Sequence, residues 1–288
     1  MKLYAKMTAS ALALLSMLTV GSWLHPLLPD GAPPYRAKPV NAAHRGGMGA
    51  APENTMAAFD MSASIPADYI ELDVRTSRDG RLVVIHDDTV DRTTDGTGSV
   101  KEMTVSELRK LDAGSAFHRR FRGERIPLLG EVLDRYAGKI GLLIEMKEHD
   151  PEAASRLAEV LGRYAFALPQ QRAVRPELAG DRRAGIIVQS FHLEFLNKFH
   201  RLRPDVPLAL LVERGRRLRD ADLFEYTAYI RYVNLHWKDA DIRTIQRLHA
   251  FGLLTLPYTV RRYAQMTRLL KAGADGWITD YPARFRSL

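Results

Sequence analysis

The 288-residue chain has no cysteine, which excludes a disulfide framework, a thiolate metal site and a cysteine nucleophile. Any metal must therefore be held by oxygen and nitrogen donors. Low-complexity tracts are also missing, because the 15 prolines and 20 glycines are scattered among apolar runs. Collagenous and linker-like architectures are thereby excluded. A 46% apolar, 26% charged composition excludes disorder as the main state and supplies enough apolar chain for a large core. The charge is unbalanced, with 42 Lys plus Arg against 34 Asp plus Glu, a net +8. Two runs carry much of the surplus: Arg119, Arg120, Arg122 and Arg125, then Arg214, Arg216, Arg217 and Arg219. A solvated face is the ordinary reading of such runs, and attraction to an anionic membrane surface or substrate is the functional one.

Charge is absent from Met7 to Leu24, behind Lys2 and Lys6, and Pro26, Pro29, Pro33 and Pro34 follow. Residues 1–24 are read as a cleaved signal peptide or a retained membrane anchor, and 25–39 as a proline-rich tether. The apolar run is long for a signal and short for a span of about 20 residues, so length leaves both readings open. Either one sends the domain out of the cytoplasm, to the periplasm, the extracellular space or a membrane surface, with the lysines inside.

Residues 40–288 match the usual size of one (β/α)₈ barrel. Short β-rich runs recur at Val40–Ala43, Tyr69–Val74, Ile140–Met146, Ile186–Gln189, Leu208–Val212, Tyr232–Leu235, Leu253–Leu256 and Gly276–Ile278. Amphipathic stretches separate them, including Thr55–Ser64, Pro151–Ala165, Leu193–Arg201, Ala240–Phe251 and Arg262–Ala272. The alternation predicts a parallel α/β sheet closed as a TIM barrel. An open doubly wound sheet fits less well, since no glycine fingerprint follows the first strand. One interruption breaks the alternation, an insertion over about 87–139. A hairpin-like pair, Leu82–Ile85 with Asp95–Gly98, and a short helix at Thr104–Leu111 mark it as an excursion from one end.

The chemistry collects at the ends of the first three barrel strands. His44-Arg45-Gly46-Gly47 follows the first. In the second, Glu71 and Asp73 are two residues apart, so both side chains share one face of the strand while Ile70, Leu72 and Val74 take the other. Glu145 and Lys147 repeat the arrangement in the third. Acids crowded inside a barrel repel one another and cost several kcal/mol to desolvate. All-oxygen ligation of a cation by Glu71, Asp73 and Glu145 relieves that cost and suits Mg²⁺ or Ca²⁺ rather than zinc. The plainer alternative is a set of internal salt bridges, with Lys147 pairing Glu145.

The ordered set His44-Arg45-Gly46, Pro52-Glu53-Asn54-Thr55, Glu71-Leu72-Asp73-Val74, His86-Asp87 and Glu145-Met146-Lys147 resembles the glycerophosphodiester phosphodiesterase family. Arg92-Thr93-Thr94, Gly96-Thr97-Gly98, Gln189-Ser190-Phe191 and Thr279-Asp280 extend the resemblance, which runs from about Asn41 to Pro282. It implies a TIM barrel with an insertion after strand two and metal-dependent hydrolysis of glycerophosphodiesters to glycerol 3-phosphate and an alcohol. One divalent cation would sit on Glu71, Asp73 and Glu145. His44 and His86 would be the acid/base pair, with Arg45 and Lys147 facing the non-bridging phosphate oxygens. Asn54 matches a residue of the phosphate or metal shell, although Asn before a helix is also an ordinary N-cap.

Departures from the family pattern fall where the alcohol should bind. Leu256-Pro257-Tyr258 replaces a common tryptophan in strand seven, and Trp277 stands where a smaller aliphatic residue is usual. Phe191, His236, Trp237, Tyr258 and Trp277 are the candidate pocket wall. A greasy channel beside Tyr258 and Trp277 would favour a lysophospholipase D-like activity on lysophospholipids. A non-catalytic binding protein is disfavoured because every expected histidine and carboxylate is present. Nucleic acid as a partner rests on charge alone, and no obligate protein partner is evident.

Overall fold

Alternating apolar and amphipathic runs fold here into a parallel sheet wrapped by helices. The structure is a computed structural model that describes residues 38–65, 67–148, 151–164 and 185–285, all within one compact unit, Ala37–Leu288. The amino-terminal apolar run, most of the proline-rich stretch, His25 and His149 lie outside the described residues. Among those described, no helix is long and apolar enough to cross a membrane.

Among the described residues, seven parallel strands form the barrel wall: β1 (Val40–Ala43), β2 (Tyr69–Thr76), β4 (Gly141–Met146), β5 (Ile186–Ser190), β6 (Leu208–Val212), β7 (Tyr232–Leu235) and β8 (Gly276–Thr279). They are hydrogen-bonded in the order β7-β6-β5-β4-β2-β1-β8, and β3 (Leu82–Val84) pairs with β2. Leu253–Leu256, expected as a further strand, is not a regular one. Pro257 follows without an N–H to donate, and the segment is held by separated bonds instead. The Val233 and Tyr258 amides donate to Leu254 and Leu235 on one side, and the Val260 and Ile278 amides to Ile278 and Pro257 on the other. These bonds carry the ring from β7 to β8 through an irregular eighth stave.

Outside the ring lie α1 (Met56–Ala63), α3 (Leu129–Tyr136), α4 (Pro151–Gly162), α5 (Leu193–Leu202), α6 (Asp220–Tyr226), α7 (Ile242–Ala250) and α8 (Tyr263–Ala272). The helices α3 and α6 are additional to those expected. Strand periodicity divides the side chains as the sequence requires. Ile70, Leu72, Val74, Leu142, Ile144 and Met146 pack beneath the helices, while Tyr69, Leu143, Ile187, Ala209, Leu256 and Ile278 plug the lower barrel.

The excursion begins at the carboxyl end of β2. The expected hairpin partner is corrected: β3 folds antiparallel onto β2 itself, with Val84 opposite Val74 and Leu82 opposite Thr76. Asp95–Gly98 lies in a loop, because a tight turn at Ser77–Arg81 already returns the chain to β2. A small core of Val83, Ile85, Val90, Val100, Leu108 and Ile126 stabilises the excursion. Its helix α2 (Val105–Leu108) starts on a reciprocal cap between Thr104 and Glu107.

Candidate active site

The strand ends supply the site in sequence order. After β1 the chain turns sharply through His44-Arg45-Gly46-Gly47, with left-handed φ at Arg45, Gly46 and Gly47. Glycine is required at Gly46 on two counts, its φ of 77° and the close approach of α1, since a Cβ there would lie 2.7 Å from Phe59. The turn aims the Arg45 amide at Glu71 Oε2, 2.7 Å away. Thr55, not Asn54, is the N-cap of α1, accepting from the Ala58 amide. Asn54, at φ 57°, is therefore free to clamp Asp73. Its amide donates to Asp73 Oδ2 at 2.8 Å and its oxygen accepts from the Asp73 amide at 3.2 Å.

Register brings the acids together. Asp73 on β2 lies opposite Glu145 on β4, and Glu145 lies opposite Gln189 on β5. Glu71 is one inward step lower. Ligand oxygens of Glu71, Asp73 and Glu145 all fall within 4.8 Å of one another, and all three residues are buried. Lys147 Nζ is 2.5 Å from Glu145 and 3.0 Å from Asp73, while Arg45 Nη1 donates to Glu53 at 2.7 Å and its Nε lies 3.4 Å from Asp73. The salt bridges foreseen as the plainer alternative thus exist, yet they do not saturate the acids. Asp73 Oδ1 is buried and faces the Lys147 ammonium, which it shares with Glu145.

Burial, with the neighbouring carboxylates, pushes Glu71 well above the usual range and Glu145 up to about 7. Asp73 is also desolvated, but Lys147, Arg45 and His86 together hold it below the usual range. A trio of buried carboxylates whose ligand oxygens converge within 4.8 Å of one another fits a hard divalent cation. Beneath it, Gln189 donates to Glu71 and accepts from Asn234, whose oxygen accepts from the Leu256 amide. This amide chain orients Glu71 above the apolar plug.

Both histidines present Nδ1 to an aspartate backed by an arginine. His44 Nδ1 is 2.6 Å from Asp280, which accepts from Arg261 Nε at 2.5 Å. His86 Nδ1 is 2.7 Å from Asp87, which accepts from Arg92 Nε at 2.6 Å. Arg92 then makes two bonds of 2.8 Å to Glu53, the partner of Arg45. Holding Nδ1 on a carboxylate leaves Nε2 of each ring for proton exchange. Burial, joined by Lys147 and Arg45, holds His86 below the ordinary histidine value.

The expected alcohol pocket is only partly assembled. Phe191 and His236 each meet the Tyr258 ring edge-on at 6.0 Å, and Tyr258 donates to the Val212 carbonyl. Of the two tryptophans expected there, Trp277 does not join them. Trp277 points to the outer layer, where its ring meets Phe285 and its Nε1 donates to Asn41. Trp237, in the turn after β7, packs against the outer core with Lys238 and Arg268 over its ring, and the same ring meets His236 at 6.0 Å. Strand alternation in β8 decides the case of Trp277, so the greasy channel expected there is not formed by that residue. The backing groups Asp280, Arg261, Arg92 and Glu53, and the amide pair Gln189 and Asn234, received no role from sequence reasoning. Asp87, adjacent to His86, carried a readable signal; Asp280, 236 residues from His44, stood in the Thr279-Asp280 match, but nothing in the spacing pointed to His44 as its partner.

The glycerophosphoryl diester phosphodiesterase family model matches residues 44–284. The YhdW protein of Bacillus subtilis (strain 168) is 39% identical over 243 residues, covering 83% of this chain and 93% of its own. A glycerophosphodiester phosphodiesterase of Caldanaerobacter subterraneus subsp. tengcongensis is 36% identical over 251 residues, covering 85% and 95%. Among solved structures, an Oleispira antarctica phosphodiesterase in complex with the product sn-glycerol-3-phosphate superposes with a TM-score of 0.75 at 28% identity, covering 86% of this chain and 96% of that one.

Proposed function

This chain belongs to the glycerophosphoryl diester phosphodiesterase family, and from that premise we propose that it hydrolyses glycerophosphodiesters to sn-glycerol 3-phosphate and an alcohol. The observation that carries the reading is the meeting of the buried acid trio with two histidine–aspartate pairs at the carboxyl ends of the strands. In TIM barrels this end houses catalysis. The product complex of the Oleispira relative supports the same product here.

Glu71, Asp73 and Glu145 hold one divalent cation, Mg²⁺ or Ca²⁺. When bound, that ion supplies charge neutralisation at the phosphate. Arg45 and Lys147, fixed beside the trio, add positive charge toward the non-bridging oxygens. Nε2 of one histidine takes the proton of the attacking oxygen, and Nε2 of the other returns one to the departing alcohol as the P–O bond breaks; the attacker is either water, giving glycerol 3-phosphate directly, or the glycerol 2-hydroxyl, giving a cyclic phosphate that water then opens. Asn54 keeps Asp73 turned into the site. Phe191 and Tyr258, with His236, border the leaving-group side. The apolar run before the barrel supports export of the domain from the cytoplasm.

The test is a substrate panel of glycerophosphocholine, glycerophosphoethanolamine and lysophosphatidylcholine, with sn-glycerol 3-phosphate as readout. Release from the two diesters is expected. No release from either overturns the reading, and faster choline release from the lysolipid replaces it with a lysophospholipase D-like one.

A further inference from the structure

We infer that the outer surface of the excursion, Ala116–Arg125, docks the mouth of the barrel onto an anionic phospholipid bilayer. The proposal goes beyond the hydrolytic reading and stands without it. The stretch holds Arg119, Arg120, Arg122 and Arg125 with two phenylalanines, and its one acid, Glu124, turns inward to accept from the Ala57 amide of α1. Among the described residues no ion pair involves these four arginines, whereas Arg45, Arg75, Arg92, Arg109 and Arg261 are all paired with carboxylates. Their charge is therefore uncompensated. Phe117 is 43% exposed, a large apolar side chain among cations. Rings flanked by arginine suit the headgroup boundary, where an aromatic enters the apolar layer and guanidinium groups meet lipid phosphate.

The surface is also held rigid. The Asp112 carboxylate accepts from the Gly114, Ser115 and Gly123 amides, stapling the base of the loop. Gly114 is packed so closely that a Cβ would meet the Phe121 carbonyl at 1.9 Å. Arg125 donates to two carbonyls, Lys110 and Leu111. Phe117 and Phe121 meet edge-on at 5.7 Å, with Arg120 over the second ring at 4.6 Å. Arg120 also donates to the Ala50 carbonyl, in the loop that leaves Arg45. The cationic surface is thus fixed to the rim of the site. The exposed Arg214, Arg216 and Arg217 follow β6 and lie at the same end of the barrel. A bilayer meeting both loops faces the mouth.

Co-sedimentation of the full chain with phosphatidylcholine vesicles, with and without about a third phosphatidylglycerol, tests this. The ratio of the two partition coefficients isolates the charge-dependent part from any apolar binding by the amino terminus. Since each surface arginine contributes roughly fivefold near anionic lipid, Arg119→Ser with Arg122→Ser is expected to lower the ratio at least tenfold. Phe117→Ser should lower binding to both vesicles, and Arg119→Lys with Arg122→Lys should keep the ratio. Hydrolysis of soluble glycerophosphocholine without vesicles should not change in any of these variants. An unchanged ratio overturns the proposal. So does an equal fall with Lys139→Ser and Arg231→Ser at the opposite end of the barrel, or tighter binding to a DNA duplex than to the anionic vesicles at the same salt.

Discussion

The two histidine arms use the same three residue types in the same order, yet they are built in opposite ways. The His44 arm is long-range and dry at the histidine and aspartate: Asp280 and Arg261 come from the other end of the chain, and the His44 and Asp280 side chains are only 13% and 6% exposed, with Arg261 reaching out to solvent. The His86 arm is local and wetter. Asp87 is the next residue, Arg92 follows five later, and the exposures are 31% and 27%. What the second arm lacks in burial it gains in bracing, because Arg92 also grips Glu53 and through it Arg45. A histidine at a strand end is oriented by the closed barrel itself. One carried on an excursion needs a clip back to the barrel.

The largest expected effect falls on what both arms serve. Chelation of divalent cations should stop turnover with both arms intact, and Mg²⁺ or Ca²⁺ should restore it; residual full activity would mean that the arms act without the trio. Next, His44→Ala and His86→Ala should each lower kcat by ~10² to 10⁴ while circular dichroism stays unchanged. A loss confined to one of them would break the proposed equivalence of the arms. Asp280→Asn should cost more than Asp87→Asn, roughly tenfold against a few-fold in kcat/KM, because the buried carboxylate has no solvent to replace it. Equal losses would show that burial does not separate the arms.

The pH profile sharpens the comparison further. Burial, reinforced by Lys147 and Arg45, holds His86 below its ordinary value of 6.5, so the kcat/KM limb that vanishes with His86→Ala should lie below pH 6.5. The smallest effect concerns stability. Asp87 is held down to about 2 by its bond to Arg92, against 3.8 ordinarily. A depressed carboxylate stabilises the fold above its unfolded value and loses that contribution as pH falls toward the folded one. Arg92→Gln should flatten the fall in thermal midpoint between about pH 4 and pH 2, by no more than about 1 kcal/mol because Arg92 is half exposed.

The inward aim of Glu71, Asp73, Glu145 and Lys147 was legible because strand alternation has a period of two and needs no tertiary information. The same rule turns Trp277 outward, against the pocket role that its aromatic character suggested: its phase in β8 places the indole against Phe285, whereas Trp237 keeps a ring contact with His236. Pro257 hid the irregular eighth stave, since its apolar neighbours read as an ordinary strand. Asn54 was readable as a cap or as a site residue, and the Thr55 hydroxyl decided between them by capping α1 itself.

Spacing along the chain, then, determined which carboxylates share a face and which histidine has an acid beside it, because both depend on neighbours a residue or two away. Closure of the barrel alone brought Asp280 to His44, Gln189 and Asn234 beneath Glu71, and the arginine-rich excursion to the rim. Those contacts join residues 45 to 236 positions apart, and no local preference of the backbone encodes which of them will meet.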